Sequence, residues 1–280
     1  FTPAYMNRLD GMSIPGRQHV LVSKDEMADY LEAYAKQFKL PIQSGVIVDR
    51  LYKQGNHFIV SSGDKVFEAS NVVVAMTNFQ HKRIPDFAKD INPSIVQLHT
   101  LDYKNASQLK KGKVLVVGAG NSGAEIALDV VKEHQTILSG NEVGHVPFRI
   151  ETSIARYLLV RLVRFVGHNI LNTSTPMGRK LRPKALVSGS PLIRTKPKDL
   201  INAGIERVPK VVGVKNGFPL LADNHVLEVE NIIWCNGFRS GFSWIELPVL
   251  GEREEPFHER GIVSKEPGLY FVGLHFLYAM

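Results

Sequence analysis

Residues 113–131, KVLVVGAGNSGAEIALDVV, constrain this chain more than any other stretch. Val114 to Val117 form a short, continuous apolar run, the pattern of a parallel strand covered on both faces. Gly118, Gly120 and Gly123 then complete a G-x-G-x-x-G. Ala124, Ile126, Ala127, Leu128, Val130 and Val131 give the segment behind it the character of a mostly apolar helix. Strand, glycine turn and helix in this order form a dinucleotide-binding unit. Gly118 permits the tight turn, Gly120 lets a pyrophosphate approach the backbone, and Gly123 lets helix and strand pack closely. Ala119, Asn121 and Ser122 complete the loop. The first helical N–H groups point at the phosphates, aided by the helix dipole. Thr136 to Ser139 reads as the next strand and closes a βαβ unit.

A length of 280 residues accommodates one large or two modest domains. No apolar run is free of charge for long enough to span a bilayer. The single Cys235 excludes an internal disulfide framework and fits a reducing, cytoplasmic setting. A net charge of +7 favours anionic partners, for which a nucleotide pocket and a basic surface suffice. No zinc-finger spacing and no RNP-type aromatic motif occurs, so nucleic acid is not an expected partner. No metal-ligand set and no Ser-His-Asp arrangement is found.

Along the chain, residues 1–22 read as an extended, turn-rich segment. Ser23 and Glu26 form a capping box before a helix whose Met27, Leu31, Tyr34, Ala35 and Phe38 share one face. Val46–Val48, His57–Ser61 and Asn71–Ala75 read as strands. Residues 153–171 read as an unusually apolar helix broken by Arg156, Arg161 and Arg164. A membrane-surface role is weighed against burial on the protein or a partner subunit. The wide arc of the arginines favours burial, either on the rest of the protein or on a partner subunit in a homo-oligomer. Residues 179–184 and 194–198 read as basic loops, and Asp199–Ala203 as a short helix before Gly204. Val211–Lys215, Pro219–Leu221 and Val226–Glu228 read as a meander. Ile232–Cys235 and Leu269–Val272 read as buried strands. Val72–Ala75, Ile232–Cys235 and Leu269–Val272 each run into a loop suited to a ligand. They suggest a second nucleotide-binding sheet whose opening βαβ precedes Phe1.

Residues 113–131, the opening Phe1-Thr-Pro-Ala4, the helix from Ser23 to Ala35, Gln97–Tyr103 and Ile233–Arg239 resemble the flavin-containing monooxygenases. The likeness is to their bacterial branch related to the plant auxin-pathway enzymes, and it covers nearly the whole chain. It implies an α/β fold of two Rossmann-like, doubly wound nucleotide-binding domains. Residues 1–107 and 232–280 would form the FAD-binding domain, lacking its N-terminal βαβ. Residues 108–231 would form the NAD(P)H-binding domain inserted into it. The resemblance further implies an FAD- and NADPH-dependent enzyme that places one oxygen atom of O2 on a small organic substrate through a flavin hydroperoxide. The family's chemistry belongs to its cofactors, and the protein binds, orients and excludes water.

Departures from the family pattern fall at the same places. The Ala-Thr-Gly turn reads Ala75-Met76-Thr77, and its second counterpart reads Cys235-Asn236-Gly237. Of an F-x-G-x-x-x-H fingerprint only His99 is present, with Pro93 and Ile95 at the other two positions. Asn141 stands where relatives carry Arg. Cofactor-binding candidates are therefore Gly118–Gly123, Ser139, Ala75, Gly237 and Gly273. His99, placed in a loop at the domain junction, is a candidate for orienting the nicotinamide or for a structural hinge bond. Ser139 ends its strand where NAD-binders place an acid, which suits a 2′-phosphate. Cations for that phosphate would come from Arg179, Lys180, Arg194 or Lys196. Two rival readings remain: a flavin disulfide reductase or plain NAD(P)H–flavin oxidoreductase, and a nucleotide-binding module without turnover.

Overall fold

Four consecutive apolar residues at 114–117 can all be buried only in a strand with layers on both faces, and all four are buried. The computed structural model describes residues 3–16, 18–187, 190–252 and 254–279. Phe1 and Thr2 of the opening motif lie outside it, as do the side chains of Arg156, Lys184, Leu186 and Val187. The chain runs through α1 (Ala4–Asn7), α2 (Lys24–Gln37), β1 (Arg50–Gln54), β2 (His57–Ser62), β3 (Lys65–Ala69), β4 (Val72–Val74) and β5 (His81–Lys82). It continues with β6 (Val96–His99), β7 (Val114–Val117), α3 (Asn121–Val130) and β8 (Thr136–Ser139). A π-helical turn, Ala155–Leu159, opens α4 (Val160–Asn169), followed by α5 (Pro176–Val187) and α6 (Pro197–Asn202). Then come β9 (Glu206–Val208), β10 (Val211–Lys215), β11 (Phe218–Leu221), β12 (Asn231–Trp234), β13 (Phe238–Arg239) and β14 (Leu269–Phe271).

Five parallel strands form one sheet in the order β6-β12-β7-β8-β9. Side chains alternate across it. Val114, Val116, Leu138 and Ile233 pack with Ala124, Ala127 and Val130 of α3. Leu115, Val117, Ile137, Ile232 and Trp234 pack with Ala88, Ile91 and Ile95 on the other face. A second unit combines the antiparallel β1-β2-β3 with a parallel pair, β4 and β14. Its core holds Leu51, Phe58, Val74, Phe242, Leu269 and Phe271. The chain passes between the units twice, and the two passages pair as the antiparallel β5 and β13. In α2 the expected capping box is present: the Glu26 N–H donates to Ser23 Oγ at 3.2 Å, and the Ser23 N–H donates to Glu26 Oε2 at 2.8 Å.

Several elements differ from the sequence reading. Val96–His99 and Ile232–Trp234, assigned there to the FAD-type sheet, lie in the five-stranded sheet. Asn231–Trp234 is buried on both faces and so takes a central position. Asn231 holds the 110–113 turn through Lys110 N and O, and Trp234 Nε1 donates to Gln97 Oε1 at 3.0 Å. The strand pairs thus group β6 and β12 with β7, β8 and β9. Val46–Val48 forms no strand, and Ile47 stands exposed. The pairing partner of β2 begins at Arg50 instead. Residues 4–7 are helical. On α2 it is Tyr30 that is buried, its hydroxyl accepting from Leu9 N and donating to Met12 O, while Leu31 and Phe38 are exposed. Residues 179–184 are helical within α5, with Pro183 inside it. Val226 makes only an isolated bridge to Leu220. The apolar helix at 155–169 is not buried on the rest of the chain. Only Ala155 and Gly167 of its described residues are buried, Tyr157 and His168 meet the rings of His19 and Tyr278, and Ile154, Leu158, Leu162 and Phe165 face outward.

Among the described glycines the closest approach is where α3 meets the turn after β7. A Cβ on Gly123 would lie 1.7 Å from the carbonyl oxygen of Gly118, whereas one on Gly120 would meet nothing within 4 Å. Gly123→Ala is therefore expected to cost about 1–3 kcal/mol of stability, with Gly120→Ala close to neutral. Thermal unfolding of the two variants beside the parent checks the difference.

Candidate functional site

His99, Trp234, Val117, Ser139 and Val208 stand in register as a row across the parallel sheet. The residues after them share one carboxyl edge. From β7 the chain winds outward to β8 and β9, and it returns on the opposite side at β12. Ligands of open α/β sheets sit at such a reversal. Here it falls at Gly118 and Cys235. Gly118 has φ +114°, and a Cβ on it would lie 2.3 Å from the Cys235 carbonyl oxygen. Its N–H donates to Ser139 O at 2.8 Å, and the Cys235 N–H donates to Val117 O at 2.7 Å. Gly120 precedes α3, a helix of 10 residues whose N-terminus no side chain caps. Open space before uncapped N–H groups is what a pyrophosphate requires. The residues present fit that group.

The neighbouring side chains have other tasks than the spacing suggests. Asn121 Nδ2 donates to Pro191 O at 2.9 Å, and its Oδ1 accepts from Ile193 N at 2.9 Å. It pins the 191–193 segment beside the start of α3. Ser139 is fully buried. Its hydroxyl donates to Pro209 O at 2.7 Å and accepts from Val211 N at 3.2 Å. The side chain is thus committed to joining β8 to the segment after β9. Lys196 is also spoken for, its Nζ donating to Val146 O and Ile193 O at 2.8 Å each, and burial lowers its pKa. Arg179 donates to Ser174 O, and Arg194 lies 3.8 Å from Glu151. Sequence reasoning overlooked Arg207. From β9 its guanidinium donates to Gly140 O at 3.0 Å, directly past the end of β8. With Glu142, His145 and Leu192 it lines a cavity of about 420 Å³. Its only sequence signal was position: the last-but-one residue of a strand that becomes the neighbour of β8.

His99 ends β6 rather than lying in a loop, and it is buried. The Leu101 N–H donates to Nδ1 at 3.2 Å, so Nε2 carries the proton and donates to Gly237 O at 3.0 Å. The ring meets Phe238 edge to face. His99 therefore holds the turn between β12 and β13, with Gly237 at φ +85°. At strand spacings of about 4.8 Å it stands roughly 14 Å from Ser139 across the sheet. Burial pushes the Cys235 thiol up to about 12, so it is not a reactive thiolate near neutral pH. Ala75 and Gly273 follow the paired strands β4 and β14 and form a second edge, where Val272 N donates to Val74 O at 2.9 Å and Gly273 has φ +78°. Among the described residues no cluster of metal ligands occurs.

Residues 10–173 match the family model described as pyridine nucleotide-disulphide oxidoreductase. A CzcO-like oxidoreductase from Geobacillus kaustophilus is 37% identical over 280 residues, spanning 99% of this chain and 78% of that protein. An indole-3-pyruvate monooxygenase, YUCCA1, from Oryza sativa subsp. japonica is 30% identical over 286 residues, spanning 90% of this chain and 69% of that protein. The chain belongs to the flavin-containing monooxygenase-type oxidoreductases. A variant flavin monooxygenase from Stenotrophomonas maltophilia shares the two-domain Rossmann fold, with a TM-score of 0.73 at 20% identity over 100% of this chain and 78% of that one. As a member of this family, the chain is an FAD- and NAD(P)H-dependent monooxygenase that uses O2 and a small organic substrate. Among the described residues no helix is long and apolar enough to cross a membrane.

Burial holds the His99 ring below its ordinary pKa of 6.5. The unfolded chain then binds a proton that the folded chain refuses, so stability rises with pH across that interval. The contribution is complete above about 6.5 and is lost as pH falls from there toward the lower folded value. His99→Gln is expected to flatten the dependence of unfolding free energy on pH between about 7 and about 5. His258, held low by burial and by Arg182, adds a slope of the same sign. Denaturant unfolding at a series of pH values measures the change.

Proposed function

We propose that the carboxyl edge of the five-stranded sheet holds NADPH, and that the edge after β4 and β14 faces FAD. The unit from β6 to β12 is then the NAD(P)H domain, inserted into an FAD unit made by the segments before β6 and after β12. One observation carries this reading: of the three glycines of the turn, Gly118 and Gly123 are crowded by backbone and Gly120 faces open space. Reduced nicotinamide supplies the hydride and flavin supplies the oxygen-activating chemistry when both are bound. The chain's own residues bind and orient. The amides of Asn121 and Ser122 face the pyrophosphate, the Asn121 side chain fixes the neighbouring wall, and His99 steadies the turn at Gly237. A single cysteine supports a cytoplasmic setting.

Preference for NADPH over NADH rests on Arg207. Ser139 places no acid at the strand end, and Asn141 offers at most a neutral hydrogen bond. Glu142 opposes a phosphate, while Arg207 beside Gly140 attracts it. A charge-assisted hydrogen bond contributes about 1.5–3 kcal/mol, or one to two decades in affinity. Arg207→Gln should therefore lower the NADPH-to-NADH ratio of kcat/KM by about ten- to a hundredfold, and added salt should blunt the parent's ratio. Gly120→Val should abolish NADPH binding in titration calorimetry while the protein stays folded. Indole-3-pyruvate, the substrate in the rice relative's name, is the first organic substrate to supply in the oxygen-uptake assay. An unchanged ratio in Arg207→Gln overturns the assignment of Arg207, and NADPH binding retained by Gly120→Val overturns the site.

A further inference from the structure

We propose that the helical segment 154–169 is a docking surface for an anionic lipid bilayer, lying along the headgroup boundary without crossing it. Ile154, Leu158, Leu162 and Phe165 recur at helical spacing and are 69%, 62%, 54% and 60% exposed. The side against the protein carries the buried Ala155 and Gly167, and Tyr157 and His168 meet the rings of His19 and Tyr278. An apolar stripe of this kind, open to solvent, marks a surface meant to be covered.

Charge identifies the cover. Residues 152–198 contain no Asp or Glu and ten Lys or Arg, while the whole chain carries +7, so everything else together carries −3. Lys196 is buried and Arg194 lies against Glu151, while Arg161, Arg164, Arg179 and Lys180 stand exposed on the stripe's helix and on the next. Arg161 and Arg164 stand exposed on one flank of the stripe, and the Arg161 guanidinium lies 5.6 Å from the centre of the Tyr5 ring. In α5, the next helix along the chain, Met177 is 55% exposed and Arg179 and Lys180 are also exposed. Leucine and phenylalanine on the stripe suit the acyl boundary, and arginines on its flank reach anionic headgroups. A second copy of this chain would set the exposed Arg161 and Arg164 against the same arginines of its partner. A nucleic acid would leave the apolar stripe without a partner.

The test uses the full chain with sedimenting vesicles of phosphatidylcholine alone and of an equal mixture with phosphatidylglycerol. Expected is binding to the mixed vesicles that exceeds binding to the neutral ones by roughly tenfold or more and falls as salt rises. The Leu158→Ser, Leu162→Ser, Phe165→Ser triple variant should lose at least about tenfold in partitioning with its thermal unfolding unchanged. Arg161→Gln and Arg164→Gln should each cost about fivefold. No binding, or equal binding to both vesicles, overturns the proposal. So does binding that the triple variant leaves intact, which is adsorption by charge alone. A dimer seen in analytical ultracentrifugation and abolished by Leu162→Glu makes a second copy the occupant and overturns it as well.

Discussion

The contact between the first turn of α3 and the end of β7 is the constraint on which the nucleotide unit depends. A helix that must begin directly after a strand's tight turn has room for no side chain between itself and the turn's carbonyl. Gly123 meets that demand on the helix, and Gly118 meets its counterpart against the Cys235 carbonyl. Once both are in place, the backbone bonds from Gly118 to Ser139 and from Cys235 to Val117 lock three strand ends together. The helix N-terminus is then left aimed at open space in front of Gly120, because glycine offers no side chain to cap it. Stability and ligand access at this edge thus come from the same three residues.

The passage between the two units is built with equal economy of residues. β5 and β13 pair for only two residues each. Around them His99 binds Gly237 O, Phe238 packs against both His99 and Phe79, and Lys82 meets Asp102 at 2.6 Å. The Lys82 ammonium holds the Asp102 carboxyl below its usual range. That pair is partly exposed, so its contribution is modest and screened by salt. The buried histidine bond is the firmer tie. It connects the last residue of an edge strand to the turn from which the chain re-enters the second unit.

The strand-turn-helix at 113–131 was legible because every part of it is local. An apolar run, three spaced glycines and a helical repeat leave one arrangement open. That Val72–Val74 and Leu269–Phe271 share a sheet was legible from two short apolar runs that each end in a turn, and the structure pairs them in parallel. The place of β12 was not legible, since an Ile-Ile-Trp run reads alike in any central strand. What fixes it is the Trp234–Gln97 bond and the hold of Asn231 on the 110–113 turn, made across 121 residues or more of chain. At the candidate site the glycine turn was legible and the bonding of its polar neighbours was not. Spacing reveals the residues at a strand's own end, not those that the adjacent strand brings beside it. Ser139 is therefore consumed by Pro209 and Val211, Lys196 by two carbonyls, and Arg207 arrives from a strand nearly 70 residues on. The exposed helix at 155–169 shows the same limit: its apolar content was evident, but small residues on the inner side decide which face is covered.

The most direct test of the nucleotide site is hydrogen exchange of the intact protein with and without NADPH, read residue by residue. Amides opened by local fluctuation become protected when a ligand binds them. Protection is predicted to concentrate at residues 119–123 and to extend to 191–193, which Asn121 ties to the helix start. Protection confined to the edge at Ala75 and Gly273, with no change at 119–123, would contradict the assignment.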